Sequence, residues 1–159
     1  MSPGTRALVI ASALGCGIMA GVFFGFSAFV MNGLSRLPSA QGLGAMQSIN
    51  IAAVRPAFMT AMFGTAAACV ALSVIAVRSW GGLAAALLIA GSALYLIGTI
   101  GLTVAYHVPL NDALAGLHPD SAGAAAQWSD YLQGWTRWNH VRAATALAAA
   151  ATFTWSLIA

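Results

Sequence analysis

A chain of 159 residues is enough for one domain, and this one is 60% apolar and only 6% charged, with a mean hydropathy of +0.86. A soluble domain carries roughly a quarter of its residues as charges, so a water-exposed globular protein is excluded. The net charge of +3 comes from six arginines against three aspartates, with no lysine or glutamate; the arginines are scattered, and no clustered basic face for nucleic acid exists.

The first apolar stretch runs from Ala7 to Met31. Arg6 precedes it, and Pro38-Ser39-Ala40 loosely resembles a cleavage site. The run is nevertheless well beyond the roughly 7–15 residues of a signal-peptide core, so it reads as a retained membrane helix. Gly17, Gly21 and Gly25 recur at four-residue spacing, which predicts close approach of a neighbouring backbone. The connection Asn32–Arg55 holds Pro38, Gly42 and Gly44, then Met46, Gln47 and Asn50 at helical spacing.

A second apolar stretch spans Pro56–Val77 and is joined by a turn around Arg78-Ser79-Trp80 to a third, Gly81–Tyr106, which carries Gly91, Gly98 and Gly101. After the connection His107–His140 comes the fourth, Val141–Ala159. Each is close to or above the roughly 20 residues that span a bilayer. Pro109 predicts a bend or stop just after the third. Cys16 and Cys69 lie inside apolar runs and read as buried free thiols.

The expected fold is a single all-α membrane domain over residues 1–159, a transmembrane four-helix bundle with an interfacial helical loop between helices three and four. Four crossings place both termini and the short turn on one side and both long connections on the other. Arg36, Arg55, Arg137 and Arg142 on the loop side outnumber Arg6 and Arg78, which favours cytoplasmic loops. Without Arg55 and Arg142, if these serve a site, the count is a tie, and orientation stays open. The lysine-free, Ala/Gly/Arg-rich composition fits a GC-rich bacterial genome, so the expected location is the bacterial plasma (inner) membrane.

That topology gathers His107, Asn111, Asn139, His140, Arg142, Asn50 and Arg55 at one membrane depth, where ionisable groups are costly and mark a functional site by default. Trp128, Tyr131, Trp135, Trp138 and Arg142 follow a 3-4-3-4 spacing that stacks them on one helix face, with Asn139 beside Trp135 and Arg142. Such a face is either an interfacial aromatic belt or a flat wall with polar groups at its edge, suited to a planar aromatic ligand. His140 has an ordinary pKa near 6.5 and is the expected proton acceptor. A metal reading would pair His107 with His140, helped by His118 or Asp112. It lacks any HxxxH or HExxH pattern.

Three stretches carry a resemblance: Phe26–Asn50 (FSAFVMNGLSRLPSAQGLGAMQSIN), Tyr106–Leu114 (YHVPLNDAL) and Trp128–Arg142 (WSDYLQGWTRWNHVR). With the four-helix layout they resemble the anthrone oxygenase family, also called DUF1772, of small integral membrane proteins. WxxYxxxWxxWNHxR is the most specific part. One departure is His107, where the family's stretch more often reads N-V-P-L-N.

The resemblance implies oxidation of a polycyclic phenolic, anthrone-like substrate with O2 as co-substrate and no cofactor. In that reading His140 is the base. Arg142, Asn139 and Asn111 stabilise the anion, with Arg55 or Asn50 assisting, and Trp135, Trp138 and Tyr131 form the wall beside His107. Many small bacterial members of the family have no assigned activity. Two other readings stand beside it: a non-catalytic membrane protein that binds a lipid, quinone or partner helix, and a His-ligated metal or haem redox protein. A small aromatic or lipophilic molecule and membrane lipid are the expected partners, nucleic acid is not, and a homo-oligomer is compatible with the sequence.

Overall fold

Ser2 starts the first helix: its hydroxyl accepts the Thr5 amide at 3.2 Å, and Pro3 takes the first helical position, where a missing N–H costs nothing. In the computed structural model, which describes residues 1–79 and 81–159, this helix, α1, runs Pro3–Ser35. Trp80, the last residue of the expected turn, lies outside the described residues. Behind Pro38 comes α2, Ser39–Ala53. Pro56 opens α3, Pro56–Arg78, whose last turn carries Arg78 against the negative end of the helix dipole. Gly82, at φ 88°, adopts a left-handed backbone that a side chain would strain, and it leads into α4, Leu83–Ala115. Gly123, at φ 85°, does the same for α5, Ala124–Ser156.

Two boundaries differ from the expectation. α4 does not end near Tyr106. Its backbone widens into π-helical turns over Leu94–Gly101 and Thr103–His107, and the Val108 amide reaches back to the Thr103 carbonyl. Pro109 then falls in the first turn of a fresh α-helical segment, Val108–Ala115, where it takes no bond away. α5 begins long before Val141. The segment expected as an interfacial loop helix and the fourth membrane helix are one continuous rod, since neither Gly nor Pro interrupts Trp135–Ser156.

The bundle has the expected sidedness. Arg6 Nη2 on α1 donates to the Leu157 carbonyl just past α5 at 3.5 Å. Ser2 and Thr5 share a surface hollow with Ser79, Gly81 and Leu88. At the opposite end Gln47 Nε2 of α2 donates to the Leu114 and Leu117 carbonyls, 2.9 Å each, closing the C-terminal end of α4. α1, α4 and α5 each have 33 residues and α3 has 23. The long three are roughly 50 Å at 1.5 Å per residue, against a hydrocarbon core of about 30 Å. They therefore continue past the end of α3 on the loop side, where α2 packs across them.

Two cores follow from this shape. Val9, Cys16, Met19, Cys69, Leu72, Leu88, Tyr95 and Phe153 fill the bundle proper. Met31, Leu34, Leu43, Met46, Leu114, Trp128 and Tyr131 fill the extension under α2. Both cysteines are free and buried. Buried hydroxyls find carbonyls, as lipid demands: Ser92 donates to Cys69 O at 2.9 Å and Tyr95 to Met62 O at 3.1 Å.

Gly91 and Gly98 of α4 are helix contacts, whereas Gly101 meets only the Leu96 carbonyl of its own helix. A Cβ on Gly98 would lie 2.5 Å from Thr145 Cβ, and one on Gly91 would lie 3.0 Å from the Phe153 ring. The regular stripe on α1 behaves otherwise: Gly17 and Gly21 meet nothing within 4 Å, and the close approach is at Gly15, against Thr65. Large apolar side chains such as Leu14, Ile18, Phe24, Ile97 and Leu147 point outward. A patch of this extent is stable in lipid, not in water. With α1, α3 and α4 long and apolar enough to cross a bilayer, the protein is an integral membrane protein. α5 completes the bundle with Asn139, Arg142 and Ser156 turned inward.

A candidate ligand cavity at the join of the two cores

Between the bundle core and the extension core lies a cavity of about 520 Å³, lined from all five helices. Phe23 and Phe26 come from α1, Met46 and Asn50 from α2, Met59 and Met62 from α3, His107 and Asn111 from α4, and Trp135 and Arg142 from α5. It lies where α3 ends and the long helices continue. Its outer edge is formed by Phe63 of α3 and Val104 and Val108 of α4, all exposed, so it opens sideways between those two helices. α1 widens into a π-helical turn over Phe26–Val30 and α4 over Thr103–His107, both at this cavity. Such turns re-aim side chains and recur at functional sites.

Among the described residues Arg142 is the only arginine drawn inside, 5% exposed. Its Nη1 donates to Thr103 Oγ1 at 3.1 Å and its Nη2 to Asn139 Oδ1 at 2.8 Å. The guanidinium carbon sits over the Phe23 ring at 4.3 Å and the Trp135 ring at 5.2 Å, a cation–π arrangement. Nε is buried and unpartnered, as is Asn50 Nδ2. Asn139 is fully committed elsewhere. Its Nδ2 donates to the Phe23 carbonyl and to Ser27 Oγ, 2.7 Å each, so it braces Arg142 against α1 and does not face the cavity.

His107 is buried and lies edge-on to Trp135, ring centroids 5.3 Å apart. Its Nδ1 is 3.3 Å from the Leu102 carbonyl and its Nε2 3.4 Å from the Trp135 carbonyl. A neutral imidazole can donate to only one of these, which leaves the other nitrogen with its lone pair; an imidazolium donates to both. Asn111 Oδ1 accepts from the Tyr131 hydroxyl at 2.9 Å and from Trp135 Nε1 at 3.1 Å. Those two donors fix the amide orientation, and its N–H₂ edge turns the other way.

The structure brings together six of the residues expected from sequence, His107, Asn111, Arg142, Asn50, Trp135 and, from behind, Asn139. It does not bring in the rest. His140 is exposed and outside the lining, because it sits on α5 roughly 100° around from Asn139; the base role assigned to it has no support in this geometry. Arg55 is exposed before α3. Trp138 is 39% exposed and packs on Tyr106 at 5.5 Å. Tyr131 stacks between Trp128 and Trp135 in the extension core, one layer behind the cavity, and serves it through Asn111.

His107 and His140, the pair a metal would require, have different surroundings, buried and exposed. Among the described residues no three His, Cys, Asp or Glu side chains come together. Thr103, Phe23 and Ser27 were not read from sequence. The spacing Thr99, Thr103, His107 is a helical i, i+4 row of polar residues inside an apolar run, and it was the available signal.

A sequence model of the family described as anthrone oxygenase matches residues 55–152, more than half of the chain. The match takes in His107, Asn111, Trp135, Asn139 and Arg142, while the α1 and α2 walls lie before it. No curated protein and no solved structure matches the chain.

Proposed function

Because the chain belongs to the anthrone oxygenase family, we propose that it is a membrane-embedded oxygenase that converts a polycyclic phenolic, anthrone-like substrate to the quinone with O2, without a cofactor. The observation that carries this reading is the convergence of His107, Asn111, Asn50 and Arg142 on one otherwise apolar cavity. Its volume of about 520 Å³ falls within the roughly 300–1,000 Å³ of small-molecule sites. The sideways opening past Phe63 and Val104 suits a lipophilic substrate dissolved in the bilayer.

The chemistry asks little of the protein. His107, in neutral form, takes a proton from the ring CH₂ flanked by two aryl rings; the two carbonyls beside the imidazole then each accept an N–H from the resulting imidazolium. The electron-rich anion spreads its charge onto the ring oxygen, where the Arg142, Asn50 and Asn111 donors stabilise it. It passes one electron to O2, and the resulting radicals combine at carbon to a peroxide. Loss of the second C–H proton with cleavage of the O–O bond gives the carbonyl. The balance is one CH₂ and one O2 to one C=O and one water. Trp135, Phe23 and Phe26 hold the rings flat.

The direct test is incubation of detergent-purified protein with emodin anthrone in the presence and absence of air. Quinone formation above the uncatalysed rate, dependent on oxygen and consuming one O2 per quinone, is the expected result. Inert protein under both conditions removes this reading and leaves a ligand-binding role. The composition supports placement in a bacterial plasma membrane, which fractionation of the native host tests.

A further inference from the structure

Among the described residues Arg142 has no counter-charge inside the protein. At 5% exposure its hydrogen-bonded partners are a hydroxyl and an amide, both neutral, and its Nε faces no acceptor. An unpaired buried cation is among the costliest groups a fold can hold, and ring faces offset only part of that cost. Of the side chains lining the cavity, only His107 and Arg142 can carry a charge, and both are basic. The walls from α1, α2 and α3 hold no titratable group. Tyr131 on α5 lies behind Asn111, and Asp112 on α4 lines a separate surface hollow. Asn50 adds a second buried donor without an acceptor. Two residues of the lining therefore each hold a buried N–H with no acceptor in the protein.

We infer that the cavity takes its ligand as an anion, a planar phenolate whose negative oxygen is the counter-charge Arg142 lacks. This rests on the oxygenase reading only for the choice of a flat phenolic ligand, which the Phe23, Phe26 and Trp135 rings accommodate. It adds that the phenol oxygen gives its proton to water at the membrane surface on entry, leaving His107 free to take the later one from carbon, so that both substrate and product are held ionised. A phospholipid phosphate offers the same charge but brings two acyl chains.

The test needs no turnover. 1,8-Dihydroxyanthraquinone absorbs at longer wavelength when ionised, so its protonation state in the cavity can be read by a spectral pH titration of the detergent-purified protein. The bound dye should ionise about one to three pH units below the dye in empty micelles, the size expected for an opposite charge in contact. Arg142→Gln should return the midpoint to the micelle value. Thr103→Asp sets a carboxylate beside Nη1, now 3.1 Å from the threonine hydroxyl. It should do the same by adding a charge, which keeps the test valid if Arg142→Gln fails to fold.

Absence of dye binding, binding of the neutral dye only, or an unchanged midpoint in the folded variants overturns the inference. So does displacement of the dye by phosphatidylglycerol but not by the zwitterionic phosphatidylcholine, which would make the site a lipid phosphate site. Inert protein toward anthrone with the dye held as an anion removes the oxygenase reading and leaves the anion site standing. Turnover with a neutral dye does the reverse.

Discussion

Asn111 on α4 accepts the Tyr131 hydroxyl of α5 at 2.9 Å, and that bond ties the two helices together at the edge of the cavity. Because Trp135 shares the same oxygen, the amide nitrogen has no choice of direction. Tyr131→Phe keeps the stacking and removes one of two orienting bonds. Losing a neutral hydrogen bond of this kind costs about 1 kcal/mol. KM for an anthrone, or Kd for a hydroxyquinone, should rise roughly fivefold with the helix content unchanged in circular dichroism. An unchanged KM would mean that Asn111 does not touch ligand.

The same tyrosine carries a pH signature. Burial pushes its phenol above the ordinary value, so the folded state favours the neutral form. Its contribution to stability is complete below the ordinary phenol value of about 10 and declines as pH rises from there toward the raised folded value. Thermal unfolding between pH 9 and 11 should show a steeper loss in wild type than in Tyr131→Phe. Parallel curves would contradict that assignment.

Asn139 illustrates a residue whose chemistry is structural. It is buried, and its three bonds join α5 to the α1 backbone, to Ser27 and to Arg142. Asn139→Leu leaves those groups unsatisfied, and each costs roughly 1–3 kcal/mol when buried. The variant should lose several degrees in melting temperature in detergent. Melting as wild type would show that water or lipid replaces the amide.

Two glycines separate packing from pattern. Gly98→Ala drives a Cβ to 2.5 Å from Thr145 Cβ, an atom fixed to the α5 backbone, so the helices must part. Overpacking of this sort typically costs about 1–3 kcal/mol, readable as a lower melting temperature. Gly21→Ala meets nothing within 4 Å and should melt as wild type in detergent. A destabilised Gly21→Ala would place another copy of the chain against that stripe.

Much of this was legible in the sequence, because apolar length and the shortage of charge leave only a helical membrane bundle. The gathering of His107, Asn111 and Arg142 followed from topology alone, since helix ends joined by connections on one side must meet. What escaped depends on rotation about a helix axis. Asn139 and His140 are adjacent in sequence, and the aromatic spacing sets Asn139 on the face of Trp135 and Arg142; His140 entered the expected site on its pKa and its membrane depth, and the structure turns it outward. Gly17 and Gly21 have the right spacing for contact and the wrong azimuth. Pro109 reads as a bend or stop because a wide turn upstream of a proline leaves no mark in composition.

Oxygenation in the cavity with His107 as base is tested by oxygen uptake with emodin anthrone by wild type, His107→Ala and His140→Ala side by side. Removing a general base costs about 10²–10⁴-fold. His107→Ala should therefore fall by at least about a hundredfold while His140→Ala stays within about twofold of wild type. Full turnover by His107→Ala, or its loss in His140→Ala alone, would rule out His107 as the base.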